Sequence, residues 1–373
     1  MIELDVATRR KPVATIDDPP SNYLVLGDFG GCAAGPIAVD RDNFDQALNR
    51  LDVRVGGLPF HKLDDFHPDR LCQRVPLFRD SIPTASASPE QSPELSPELS
   101  SDAARDAALG ERMRGVLHHP PFQAIEAAWR GVDFLMRRVN GGARVFLAQY
   151  SRDDLNRDLL NLATGSPMGP ASRRDTRLQE LLNARRWRAI AGLYSFGPDA
   201  CDIELLRRLA SLAARVRAPF ISACSPPEGS ADMGPYWREL TAIPEADYIG
   251  LVLPRFLLRL PYGARTAPID SFAFEEMPGA LVPSRYLWGN PALACLALLA
   301  CGGGSLDLTG LPLHAYKKDG EWTTTPCVEM RITEVRELAL IEAGLMPLVP
   351  SAKRDCARLA GFRAINGKEL PVT

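Results

Sequence analysis

The stretch from Ile82 to Ser101, IPTASASPEQSPELSPELSS, carries a tandem PELS repeat and almost no large apolar side chain. Too little surface can be buried there to offset the entropy of ordering it, so the sequence reads as a tether between two separately collapsing blocks. Roughly 20 residues of this composition span about 25 Å as a flexible coil and about 60 Å as a polyproline-like strut. At either length the flanking blocks can touch within one molecule. The expected organisation is an N-terminal block over 1–81, a linker over 82–105 and a larger domain over 106–373.

A chain of 373 residues with 46% hydrophobic composition has enough apolar material for two cores. The formal charge of -3 and the pI near 6.0 provide no broad basic field, which argues against nucleic acid as a partner. The Arg173, Arg174, Arg177 and Arg185, Arg186, Arg188 clusters sit beside Asp175 and Glu180 and read as solvated helix faces. The N-terminus has acidic residues and no signal-like apolar core. The longest nearly apolar run, Pro291 to Cys301, is about half of the roughly 20 residues that cross a bilayer, so membrane insertion is not expected and a cytoplasmic location is. Eight cysteines form no CxxC pair and no zinc-spaced ladder with histidine, so no metal is expected.

In the first block, SNYLVLGDFGG reads as a buried strand running into a glycine turn, and PIAVDRDNFDQALNRL as a strand and a helix capped at Asp42 or Asn43. Phe44, Leu48 and Leu51 mark that helix's apolar face, and a further helix is predicted over Pro68 to Val75. After the tether, Phe122, Ile125, Trp129, Val132, Leu135 and Val139 recur at three- or four-residue steps and predict a helix over Pro121 to Val139. Strands are then predicted at ARVFLAQYS, WRAIAGLYSF, PFISAC and ADYIGLVLP, with helices over Asp153 to Leu162 and Ile203 to Val216. Strands that alternate with helices and are apolar on both faces predict an α/β fold. A layered, mostly parallel or mixed sheet with flanking helices is expected, with a small α/β N-terminal block packed on it.

Several strings carry a family resemblance. FQAIEAAWRG (Phe122 to Gly131), GLVLPRFLLRLPYG (Gly250 to Gly263), YLWGNP (Tyr286 to Pro291), LPLHAY (Leu311 to Tyr316) and the stretch from Gly344 to Phe362 resemble, in that order, the large subunit of the contractile sheath of bacterial type VI secretion systems (TssC-type). LGDFGG (Leu26 to Gly31), VDRDNF (Val39 to Phe44) and LDDFHPDRL (Leu63 to Leu71) resemble the small subunit (TssB-type) of the same sheath. The resemblance implies a single-chain fusion of two partners, a structural role without catalysis, and contacts with sheath subunits, inner tube or baseplate proteins, or further copies of the chain. The family's large subunit continues past the equivalent of Phe362 into arms that add strands to neighbouring sheets. The sequence ends at Thr373, so an accessory role as cap, adaptor or regulator is expected, with a sheath protomer as the nearest alternative. In the family a short helix read by an AAA+ unfoldase precedes the large-subunit domain; here the tether occupies that position.

Catalytic readings are weaker. Asp28, Phe29 and Gly30 spell DFG without an HRD loop or a phosphate-covering glycine loop upstream. His118 and His119 are adjacent and do not share a helix face. GSPMG (Gly165 to Gly169) misplaces Ser166 for a nucleophile elbow, and GGGS (Gly302 to Ser305) lacks a downstream lysine. An enzyme on an α/β scaffold stays the alternative class, with no catalytic, cofactor or metal residues assigned. The candidate interface comprises Arg255, Leu257, Arg259, Tyr286 and Trp288, and the candidate core Phe122, Ile125, Trp129, Val132 and Phe256. Strand alternation predicts Phe256, Leu258 and Leu260 on one side and Arg255, Leu257 and Arg259 on the other. Intrachain pairing of these arginines with Glu275 or Glu276, and of Glu126 with Arg130, is the competing expectation.

Overall fold

A computed structural model describes residues 21–32, 35–79, 98–164, 177–279, 281–302, 305–318, 320–351 and 354–372. Most of the tether, and the GSPMG string, lie outside the described residues. The first block contributes β1 (Ser21–Gly27), β2 (Ile37–Val39), α1 (Phe44–Leu51), a small hairpin of β3 (Arg54–Val55) and β4 (Leu58–Pro59), α2 (Pro68–Arg74) and α3 (Pro76–Arg79). Asn43 stands at the N-cap of α1 and its side chain accepts from the Asp40 N–H instead of a helical N–H.

The next element is helical. Helix α4 (Glu98–Leu117) begins inside the span expected to be tether up to residue 105. Its sequence is rich in helix formers, and Leu109, Met113 and Leu117 fall at four-residue steps and are buried, which secures the helix by packing. After it come α5 (Pro120–Met136), β5 (Ala143–Gln149), α6 (Arg152–Thr164), α7 (Arg177–Asn183), β6 (Ala189–Phe196), α8 (Ala200–Val216), β7 (Phe220–Cys224), α9 (Gly234–Thr241) and β8 (Ile249–Leu253). The chain closes with β9 (Phe256–Leu257), β10 (Trp288–Gly289), α10 (Pro291–Ala300), β11 (Asp307–Leu308), β12 (Ala315–Lys318), β13 (Glu321–Thr324), α11 (Glu334–Glu342), β14 (Met346–Pro350) and β15 (Ala357–Leu359).

Nine strands form one mixed sheet in the order β11-β15-β14-β8-β7-β6-β1-β5-β2. The run from β14 to β5 is parallel; β2 and β15 run antiparallel to it at the two ends, and β11 pairs antiparallel with β15. The N-terminal block is therefore more than a layer packed on the sheet. Its β1 lies between β5 and β6, pairing Ser21 to Gly27 with Ala143 to Gln149 on one side and Tyr23 to Leu26 with Ala189 to Gly192 on the other.

Side chains alternate across this sheet into two cores. Tyr23, Val25, Val145 and Leu147 face the layer that holds α1, α5 and α10, whereas Leu24, Leu26, Phe146 and Ala148 face the layer of α6, α7 and α8. Burial on both faces explains why the strands are apolar runs with no polar alternation. Helix α10 is buried throughout, and Gly131 lets α5 approach it: a Cβ there would stand 2.5 Å from Leu293 Cδ1. Of the candidate core, Phe122, Trp129, Val132 and Phe256 are buried and Ile125 is half-buried against the same core. Trp129 meets residues from before the tether, its ring 5.5 Å from Phe29 and 5.7 Å from Phe44.

Candidate functional site

The segment that follows β8 is where the sequence placed an interface. Two-sided strand alternation does not hold there: regular pairing is confined to Phe256 and Leu257, which join β10, and both side chains are buried. Beyond them the chain turns its arginines to different partners. Arg255 is half-exposed and forms a two-pronged pair with Glu329, Nε to Oε2 at 2.8 Å and Nη2 to Oε1 at 2.5 Å. Glu329 comes from the segment after β13, so the partner is neither Glu275 nor Glu276.

Arg259 does meet Glu276. Its Nη1 donates to Glu276 Oε2 at 2.7 Å, and its Nε donates to Glu126 Oε1 at 2.9 Å. Glu126, on α5, is fully buried and also accepts from Arg130 Nε at 2.7 Å, the expected i,i+4 pair. Arg130 Nη2 reaches the Tyr262 hydroxyl at 3.1 Å, and the Arg259 guanidinium lies 4.3 Å from the centroid of that ring. His118 Nε2 stands 3.4 Å from Glu276 Oε1.

Two carboxylates and two guanidiniums thus close a buried cluster that joins α5 to the segment over Arg259 to Glu276. Burial alone would push the Glu276 carboxyl up; the Arg259 charge, His118 and the Tyr262 N–H outweigh it and hold it at about 2. Burial opposes the Arg259 charge, but Glu126 and Glu276 carry its pKa well above the usual range. Burial also pushes the Tyr262 hydroxyl up to about 12. Every charge here is matched within the chain, as burial demands.

Of the five residues expected at an interface, only Arg255 is well exposed. Leu257, Tyr286 and Trp288 are buried with Met277 in a small cluster of their own. The Tyr286 hydroxyl lies 2.7 Å from His314 Nδ1, and Trp288 Nε1 donates to the Pro283 carbonyl at 2.8 Å. Their large apolar surfaces are satisfied by the chain's own long loop, which periodicity within LPRFLLRL and YLWGNP could not register. The sequence reading also missed Asp69, on α2. Its Oδ1 accepts from Ser271 N at 2.9 Å, Ser271 Oγ at 2.7 Å and Asp270 N at 3.0 Å, tying the first block to the second. Burial would raise the Asp69 pKa, but these donors lower it. No local signal marks a contact between positions so far apart in the chain.

A cavity of about 620 Å³ opens at the carboxyl ends of β1, β6, β7 and β8, the usual ligand position of an open α/β sheet. Asp28, Arg255 and Glu329 are its charged lining residues, and Leu193, Pro254 and Met330 are among its apolar ones. Ser195 Oγ and Ser225 Oγ lie 2.5 Å apart, but no histidine lines the cavity to activate either. Burial pushes the Cys224 thiol far up, away from the reactive thiolate. The Asp28 carboxylate is held by Gly30 N at 2.9 Å and Gln149 Nε2 at 2.8 Å, and Phe29 beside it is buried in the core. The DFG string is thus a turn that anchors Phe29. Among the described residues no three His, Cys, Asp or Glu side chains gather to hold a metal, and no helix is long and apolar enough to cross a membrane.

The chain is similar to the type VI secretion system sheath protein TssC1 of Pseudomonas aeruginosa PAO1, at 30% identity over 292 residues, covering 67% of this chain. It spans 57% of the length of that relative. The family described as VipB (EvpB/VC_A0108, tail sheath N-terminal domain) matches residues 103–228 and 231–366, from within α4 to beyond β15. With most of its sheet and all of its buried ion cluster inside those limits, the chain belongs to the VipB tail-sheath family.

Proposed function

We propose that the chain is a non-enzymatic, cytoplasmic structural component of a type VI secretion contractile sheath, and that its N-terminal block serves within one polypeptide as the small-subunit counterpart. The observation that carries this reading is the seat of β1. A segment outside the family match fills the position between β5 and β6, both of which belong to the matched region. Removing it would split the sheet and leave two rows of strand hydrogen-bonding groups open. The internal matching of the buried charges supports a structural role for that cluster. Partners are sheath subunits first, then inner tube or baseplate proteins and other copies of the chain.

The deciding experiment is affinity purification from bacterial cells that carry an intact secretion cluster, followed by electron microscopy of sheath subunits mixed with the purified protein. Recovery of sheath subunits supports the reading. Incorporation along the tubes identifies a protomer, and shortened tubes identify a cap, adaptor or regulator. Recovery of no secretion component overturns it.

A further inference from the structure

The two strands β12 and β13 pair with each other and with no strand of the main sheet. Their register puts Lys317 directly opposite Trp322, and Tyr316 opposite Thr323 on the other face. The Tyr316 face turns inward, where its ring lies 5.7 Å from that of buried His314. The other face is left to solvent. Trp322 is 66% exposed, and Lys317 Nζ sits 5.5 Å from the indole centroid. A tryptophan held in place by a neighbouring cation loses little freedom on binding, and tryptophan is the residue type most enriched among energetic anchors.

We propose that this face docks a second copy of the chain, with Trp322 entering the copy's cavity and Lys317 meeting the copy's Asp28. The two surfaces carry opposite charges, Lys317 beside the indole and Asp28 at the cavity. The cavity, at about 620 Å³, falls within the roughly 300–1,000 Å³ range of clefts that enclose drug-sized groups. Leu193, Pro254 and Met330 offer the indole apolar contact. At its rim Asp28 is exposed and forms no ion pair among the described residues, and Lys317 likewise has no carboxylate partner among them.

A molecule cannot satisfy this match alone in the conformation seen, because Trp322 is exposed and does not line its own cavity. A second copy can. Joining one surface to a different surface of an identical chain is a heterologous contact, the kind that extends instead of closing unless the rotation makes a ring. This inference rests on reading the chain as an assembling structural component. It concerns contact between copies, so it can fail while association with sheath subunits stands.

One hairpin seated in one cavity buries far less than the roughly 1,200 Å² of a stable complex, so the contact is weak and is best trapped covalently. Full-length protein grown on nitrogen-15 is mixed with unlabelled protein and treated with a carbodiimide, which joins a lysine amine to a carboxylate only when they touch. The expected product is a cross-linked peptide pair joining Lys317 of one isotope to Asp28 of the other. Trp322→Ala, a substitution at an exposed position, should leave the thermal melt unchanged and cut the yield of that pair by about tenfold or more. Leu193→Asp, placing a charge on the cavity wall, should do the same; its melt reports whether the fold survives, and Trp322→Ala decides the matter if it does not. Absence of mixed-isotope Lys317–Asp28 pairs in the parent protein, or a yield indifferent to Trp322→Ala, overturns the proposal.

Discussion

Trp129 Nε1 donates to the Phe29 carbonyl at 3.0 Å while the two rings stand 5.5 Å apart, so one residue of α5 bonds both the backbone and the side chain of the turn after β1. The indole joins a helix after residue 98 to a turn before residue 80. Both groups are fully buried, and the pair is shielded from solvent.

Trp129→Ala should therefore lower stability by about 3–5 kcal/mol, through the cavity it leaves. Trp129→Phe retains much of the ring but strands the Phe29 carbonyl, and should cost about 1–3 kcal/mol. Urea unfolding followed by circular dichroism measures both. An alanine variant that melts with the parent would place the indole outside the core.

Cutting the chain at a protease site engineered within 83–97 should not separate its two parts. Strand β1 is hydrogen-bonded on both sides, and Asp69 and Trp129 bridge the same junction. Gel filtration of the cleaved protein should give a single peak containing both fragments. Two peaks of folded material would show that the blocks are independent.

The two arginines of LPRFLLRL should differ sharply. Arg255→Ala removes a half-exposed pair and should cost about 0–1 kcal/mol. Arg259→Ala leaves buried Glu276 with only His118 beside it and Glu126 with Arg130 alone, and should cost about 3–5 kcal/mol. Equal melting temperatures for the two variants would contradict the buried cluster.

Acid should test Glu276 directly. Its carboxyl is held at about 2 in the folded chain against an ordinary value of 4.5. A depressed folded pKa contributes stability that is present in full above pH 4.5 and is lost as pH falls towards 2, where the folded protein must also take up the proton. Denaturant midpoints of the parent should fall through that window. Glu276→Gln should be less stable at neutral pH, and its profile between pH 4.5 and 2 should be flatter. Parallel profiles for the two proteins would remove Glu276 from the acid response.

Much of the scaffold was legible because it is local. The three- and four-residue recurrence from Phe122 to Leu135 and the apolar runs at Tyr23, Val145, Ile190 and Ile221 reflect burial that each element undergoes along its own length. Strand order was not legible, since nothing within SNYLVLG states that it pairs between two strands that begin at Ala143 and Ala189. The candidate site divides in the same way. Glu126 with Arg130 is a helix-turn neighbour and follows from spacing, whereas Arg255 with Glu329 and Asp69 with Ser271 are made by the path of long loops. Alternation failed at Phe256 and Leu257 because a two-residue strand covered on both sides has no solvent face.

The seat of β1 has a consequence for supply. When two polypeptides build one sheet, its completion depends on how much of each is made and on how often they meet. Here the strand arrives on the chain that needs it, so its local concentration does not depend on how dilute the protein is. The ratio of the two parts is one to one in every molecule, whatever the rate of synthesis. Dilution, which would dissociate a pair of subunits, leaves this sheet whole.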